Sequence, residues 1–231
     1  LILYFKDSLK LIPIEKNFID EIYKKKIRNN KPFFSISKKV AGASHKFKVN
    51  KISKFLVSKK ADYLFISSPE NVAWILNIRG YDNPNSPIPN CRLIINKNKK
   101  IYLISEKKKA INLIKDKKIK LKNIISPLKF NNFIKNLKKG SFVIDSLSCS
   151  ILNRQIIQSK FEIISREDPC YKLKSIKNSS EIKNMIKAHD EDGLALTKFI
   201  FWIKNTNKKR ITELDAQNKL EKFRKINKNY L

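Results

Sequence analysis

Glycine is scarce. Its four positions in 231 residues, Gly42, Gly80, Gly140 and Gly193, are isolated from one another, so neither a G-x-G-x-x-G turn nor a P-loop can be assembled, which excludes dinucleotide and P-loop sites. Three cysteines, Cys91, Cys149 and Cys170, lie far apart with no C-x-x-C spacing. That excludes a zinc ribbon and a disulfide framework and reads as reduced thiols. Histidine occurs twice, at His45 and His189, whereas a metal centre gathers several ligands into one coordination sphere. The nearest grouping, His189-Asp190-Glu191-Asp192, is consecutive, and neighbours on a helix point about 100° apart and cannot converge on one ion. It reads as an acidic solvated face beside a histidine in a packed seam. No G-x-S-x-G elbow or Cys/His/Asp arrangement occurs. No unbroken apolar run exceeds the five residues seen at Phe199 to Ile203, against about 20 for a membrane-spanning helix.

Acidic residues are also few, 20 Asp and Glu against 51 Lys and Arg, for a formal charge of +31 and a pI near 10.1. Such a balance suits a polyanion partner, yet most of the excess is lysine in a chain crowded with Ile and Asn, as AT-rich codon usage produces. The lysines are spread over almost every element, whereas a nucleic-acid face clusters them among aromatics. Nucleic acid is therefore weighed against. A hydrophobic fraction of 42% with 10% aromatics supports a folded core in one or two domains. With no initiator Met, and with Leu1 to Phe5 already patterned as a buried strand, the chain is expected to be an internal piece of something longer.

Along the chain, Ile2–Phe5 and Leu9–Ile14 read as strands, and Phe18, Ile19, Ile22 and Tyr23 as a helical stripe. Periodicity then fails, and Pro32, Ser35, Ser37 and Gly42 punctuate a stretch that suits a linker over 31–43. From Ser44, a plausible N-cap, strands and helices alternate. Strands are expected at Tyr63–Ile66, Arg92–Ile95, Ile101–Ile104, Ile119–Ile125, Phe142–Ile144 and Phe161–Ile164. Helices are expected at Pro69–Leu76, around Ala110–Ile114, and at Phe130–Leu137 and Ile151–Ile157. This alternation predicts an α/β layered domain with a mixed sheet over 44–175. Asn178, with Glu181 three residues on, opens one long helix whose positions Ile182, Ile186, His189, Gly193, Leu196, Ile200 and Ile203 form a single seam. Thr212 caps a second helix.

The informative stretch runs from Asn71 to Pro89. Trp74 and Leu76 lead into Asn77, Arg79, Gly80 and Asp82, then Pro84, Pro87 and Pro89, in a loop stiff enough to present a fixed charge pair. Alternatively, Arg79 and Asp82 tie the loop to its own domain.

The segment AWILNIRGYDNPNSPIP resembles the AWLxNxRGxDxxxxP segment in the middle domain of the long, three-domain Xaa-Pro aminopeptidases of the creatinase/methionine-aminopeptidase group. Leu9–Ile14 with Glu15 resembles the strand ending that family's first domain, and Tyr171 to Ile182 its K-x-x-K-N-x-x-E linker. Ala188-His189 with Asp192 to Leu196, then Thr212-Glu213 and Glu221 to Arg224, resemble the first helices of its catalytic domain. The resemblance covers essentially the whole chain. It implies a creatinase N-terminal-type mixed sheet with flanking helices, followed by the first helices of a truncated pita-bread domain. The implied division is 1–30 for the end of a first domain, 31–43 for the linker, 44–175 for a complete second α/β domain and 176–231 for the start of the peptidase domain.

It further implies a cytoplasmic, homodimeric metalloenzyme that removes an N-terminal residue preceding proline, using two divalent ions, manganese or zinc. The family's ligands, two Asp, one His and two Glu, match nothing before Leu231, so no catalytic or metal-binding residue is expected in this chain, which should be inactive alone. Asn77, Arg79, Asp82 and His189 are the residues expected to face the cleft or the subunit contact. The rival reading is a catalytically empty relative that serves as a binding module.

Overall fold

The computed structural model describes residues 9, 12, 14, 18–22, 30–207, 210–227 and 230. The chain divides into two units, Leu1–Asn30 and Lys31–Leu231. In the first, α1 (Phe18–Ile22) carries three of the four residues of the expected helical stripe. The expected strand Ile2–Phe5, Tyr23, and all of Leu9–Ile14 except Leu9, Ile12 and Ile14 lie outside the described residues.

The second unit is organised by a six-stranded sheet. Its strands are β2 (Tyr63–Ile66), β4 (Arg92–Asn96), β5 (Ile101–Ile104), β6 (Ile124–Ile125), β7 (Ser141–Ile144) and β8 (Glu162–Ser165), in the order β6-β5-β4-β2-β7-β8. β2 pairs parallel with β7 and antiparallel with β4; β7 with β8 and β5 with β6 are parallel, and β4 with β5 is antiparallel. The sheet is thus mixed, as expected. Because side chains alternate across a strand, Leu64, Ile66, Leu93, Ile95, Leu103 and Val143 fill one core. Tyr63, Phe65, Ile94, Tyr102, Phe142 and Ile144 fill another on the opposite face. β2 is buried at all four positions, the near-continuous apolar pattern of a strand covered on both sides.

Helices α3 (His45–Ser58) and α4 (Pro69–Leu76) cover the first face through Val49, Ile52, Leu56, Val72, Ile75 and Leu76. On the second lie α6 (Phe130–Asn136) and α7 (Ile151–Gln158), through Phe130, Ile134 and Ile157. Between β5 and β6 runs the short α5 (Ile111–Lys115). The caps explain where several helices begin. The hydroxyls of Ser44 and Ser150 accept from Phe47 N and Asn153 N, and Pro69 sits in the first turn of α4, where its missing N–H is harmless.

Three expectations are corrected. The stretch 31–43 is built into this unit. β1 (Phe34–Ser35) pairs with β3 (Ile78–Arg79), Phe33 is fully buried, and α2 (Lys38–Ala41) closes on Gly42 in the left-handed region, at φ 69°. The strand expected at Ile119–Ile125 contracts to Ile124–Ile125, because Leu121–Asn123 forms a 3-10 turn. Phe161 donates its N–H to Ile157 O and so closes α7, which moves the start of β8 one residue on. An unforeseen helix, α8 (Pro169–Ser175), precedes the long α9 (Ser179–Asn205), which opens with a capping box between Asn178 and Glu181. A second box, Thr212 with Asp215, opens α10 (Glu213–Arg224).

α9 rests on α2 by side-chain amides: Asn178 Nδ2 donates to Ala41 O and Asn184 Nδ2 to Val40 O, each at 3.0 Å. Gly42 is required there, since a Cβ on it would collide with the Asn178 side chain. Beyond this seat the α9 seam is open, with Ile182, Ile186, Leu196 and Ile200 each more than 40% exposed.

Candidate functional site

The loop after α4 begins with Asn77, which caps the helix in the left-handed region (φ 51°, ψ 55°). It is buried rather than displayed. Its Nδ2 donates to Ala43 O at 2.7 Å, and its Oδ1 accepts from Lys48 Nζ at 2.8 Å. Lys48, only 3% exposed, also donates to Trp74 O at 2.9 Å and lies 4.2 Å from the centre of the Trp74 ring. Lys118 Nζ donates to Leu76 O and Asn77 O. Two ammonium groups thus occupy the negative end of the α4 dipole. Burial pushes Lys48 down to about 8, with Glu181 opposing the shift and Arg79 and Lys118 adding to it; burial lowers Lys118 as well. The Trp74 indole N–H nearby is buried without an acceptor.

This lysine gives a signed prediction. Unfolded, Lys48 titrates near 10.5, and folded near 8, so between those values the unfolded chain binds more protons and stability rises with pH. Below about 8 both states are protonated and its contribution is flat. Urea midpoints at pH 7.5, 9 and 10 should therefore climb more steeply for the wild type than for Lys48→Met, and parallel slopes would contradict the assignment.

Arg79 follows on β3, half-buried, and among the described residues its side chain makes one hydrogen bond, from Nη1 to Ile78 O at 2.8 Å. Burial lowers its pKa. The local pairing of Arg79 with Asp82 that the sequence allowed does not form. Asp82 is instead ion-paired with Lys109 and accepts from Asn90 N at 2.6 Å. Gly80 makes the turn possible. A Cβ on it would stand 2.8 Å from Pro89 Cα and 3.1 Å from the Phe33 ring, so the loop lies against its own base. The outer part of the loop, Tyr81 to Pro87, faces α10 across a cleft of about 340 Å³ bounded also by Gln217, Glu221, Arg224 and Tyr230.

His189 lies apart from this loop. It is exposed on α9, its Nδ1 donating to Met185 O at 2.8 Å. Its acidic neighbours are committed elsewhere. Asp192 takes a two-point contact from Arg224, at 2.6 and 3.1 Å, and Glu191 meets Lys187 and Asn227. Among the described residues no group of three or more His, Cys, Asp or Glu is placed to hold a metal. Burial raises all three thiols, Cys149 to about 11, which keeps them protonated near neutrality.

Sequence reasoning missed the polar network that joins the start of α4 to α8. Asp168 accepts from Asn71 Nδ2 at 2.7 Å and Cys170 N at 2.9 Å; Lys174 Nζ reaches Asn71 Oδ1, and Ser68 bonds the Tyr171 hydroxyl. Burial raises the Asp168 pKa. The pair Asp168-Pro169, an N-cap followed by a first-turn proline, is a start motif that would have revealed α8.

Residues 24–181, more than half of the chain, match the sequence model of the Creatinase/Prolidase N-terminal domain. Among curated proteins, the chain is 28% identical to a probable Xaa-Pro aminopeptidase P of Paracoccidioides lutzii and 27% identical to the Xaa-Pro aminopeptidase ApepP of Drosophila melanogaster. These alignments cover 98% and 96% of this chain, but 39% and 37% of the relatives. The chain thus spans about two fifths of their length. The fold matches that of the X-prolyl aminopeptidase of Caenorhabditis elegans, described as a cytosolic enzyme with a di-nuclear active site. That match has a TM-score of 0.84 at 19% identity and covers all of this chain and 39% of that one. A Xaa-Pro dipeptidase from Bacillus anthracis matches over 79% of this chain and 49% of its own, with a TM-score of 0.56 at 16% identity. From β2 to α8 the doubly covered mixed sheet lies wholly inside the matched residues, and on that match the chain belongs to the creatinase/prolidase N-terminal domain family.

Proposed function

We propose that these residues serve within a metal-dependent aminopeptidase that removes an N-terminal residue preceding proline. The supporting observation is that similarity to Xaa-Pro aminopeptidases continues through α9 and α10, past the family domain's limit at residue 181, to cover 98% of the chain. In this reading 44–175 is the second α/β domain and 176–231 begins the peptidase domain. On the same reading the protein is cytoplasmic, as the similar Caenorhabditis elegans enzyme is described, and homodimeric.

Two divalent ions, manganese or zinc, would supply the hydrolytic chemistry of such an enzyme. The residues present do not fit them, since Glu191 and Asp192 are engaged by cations and an amide and His189 is turned to its own helix. In this reading their ligands lie outside these 231 residues, and the chain alone is inactive. Its own part is positional. Arg79 spends one of its five N–H donors on Ile78 O, which leaves a fork suited to a carboxylate at the cleft or subunit contact.

The test is hydrolysis of an Arg-Pro-Pro peptide with manganese. The complete gene product should release arginine, and the 231-residue chain should release none. Arg79→Ala in the complete protein should lower kcat/KM or weaken dimerisation. A complete protein inert with every divalent metal would favour the binding-module alternative, and metal-dependent release by the 231-residue chain would refute the placement of the ligands.

A further inference from the structure

Strand register gathers a set of loops at one edge of the sheet. Tyr63 lies opposite both Phe142 and Asn96, and Ser141 opposite Glu162. β2, β7 and β8 therefore start at the edge where β4 turns into β5. Lys59 and Lys60 precede β2, Lys97, Lys99 and Lys100 lie in the turn, Lys138 and Lys139 precede β7, and Lys160 precedes β8. Two carboxylates lie at this edge: Glu162 opens β8 and is exposed, and Asp62 is already engaged by Lys97 at 2.7 Å and Ser141 N at 3.0 Å. The opposite edge is mixed in sign: Glu70, Glu106, Asp145, Glu167 and Asp168 lie there together with Arg92, Lys107 to Lys109 and Arg166. The lysine edge differs from the opposite one in having few carboxylates beside its cations.

Here the surface is concave. A cavity of about 430 Å³ is lined by Lys97, Lys100, Lys138 and Lys139 around Tyr102 and Asn98, with Asp62, held by Lys97, also in its wall. Among the described residues Lys100, Lys138 and Lys139 have no carboxylate partner, and Lys100 Nζ lies 5.0 Å from the Tyr102 ring centre. The volume falls in the range of small-molecule sites, and ammonium groups lining one cavity are point charges suited to phosphate oxygens. A concavity bounded by loops suits a compact ligand, whereas single-stranded nucleic acid needs a groove that tracks its backbone.

We propose that this cavity binds a free oligophosphate, a nucleotide or an inorganic polyphosphate, through Lys100, Lys138 and Lys139. None of its residues belongs to the Asn77 to Pro89 loop or to α9 and α10, so the site is separate from the one assigned above.

Calorimetric titration of the purified protein with tripolyphosphate, and separately with ATP, at about 50 mM and about 200 mM salt tests it. Both ligands should bind saturably and more weakly at the higher salt. Tighter binding of ATP would assign a nucleotide, and equal binding a site for the phosphates alone. Lys138→Glu with Lys139→Glu should weaken binding about tenfold or more. Lys115→Glu with Lys120→Glu, the same charge change at exposed positions outside the cavity, should change it less than about twofold. Thermal melting of both variants serves as the check on folding. Absence of saturable heat, equal loss in the two variants, or displacement of both ligands by a single-stranded oligonucleotide would overturn the proposal.

Discussion

Phe142→Ala should lower the unfolding free energy by about 3–5 kcal/mol, the range for deleting a buried aromatic ring and leaving its cavity. The ring is fully buried on β7. It stacks on Tyr63 at 4.7 Å between centroids and meets Phe161 edge-on at 4.9 Å. These contacts join two parallel strands to the segment after α7, so nothing nearby can collapse into the space without moving the sheet. Urea unfolding followed by circular dichroism measures the loss, with an unchanged slope indicating that the denatured state is unaffected. A loss below about 1 kcal/mol would mean that this face of the sheet is loosely packed.

Lys109→Met is the second large effect, and its partner makes it diagnostic. The Lys109 and Asp82 side chains are 11% and 10% exposed. Removing the ammonium leaves a carboxylate out of water with only the Asn90 N–H to solvate it, and breaking a buried pair from one side typically costs about 3–5 kcal/mol. Lys109→Met combined with Asp82→Asn should recover most of that loss, because no charge then remains to be desolvated. Additive losses in the double variant would show that the two groups do not interact. On the function proposed above, restored stability without restored peptidase activity in the complete protein would tie the carboxylate to the loop's function as well as to its fold.

What was legible in the sequence is whatever depends on near neighbours. Pro69–Leu76 emerges intact because its proline and apolar spacing are local, and the two terminal helices begin where Asn178 and Thr212 can reach a residue three positions on. What failed depends on distant partners. The stretch 31–43 has the punctuation of a linker, and nothing within it reveals that Phe34 will pair with Arg79 or that Gly42 will receive Asn178. Arg79 and Asp82, three residues apart, invited a pairing that Lys109, 27 residues further on, takes instead. At the candidate site, the sequence marked the loop as stiff and charged. It could not indicate that Asn77 faces inward to two lysines, because that requires α3 and the segment after α5 to meet at the end of α4.

The parallel pairing of β2 with β7 sets the order in which the chain can be made safe during synthesis. The partners are 79 residues apart, and a parallel pair needs a long crossover before it can close. β4 and β5 can cover one side of β2 soon after they leave the ribosome, but its other side stays unpaired until Ile144 has been added. At typical elongation rates that interval is roughly 4–16 s. Throughout it, the strand Tyr63-Leu64-Phe65-Ile66 presents an apolar edge of the kind that recruits neighbouring chains. The pace of translation between residues 67 and 144 should thus govern how much of this protein reaches the folded state and how much is lost to aggregates.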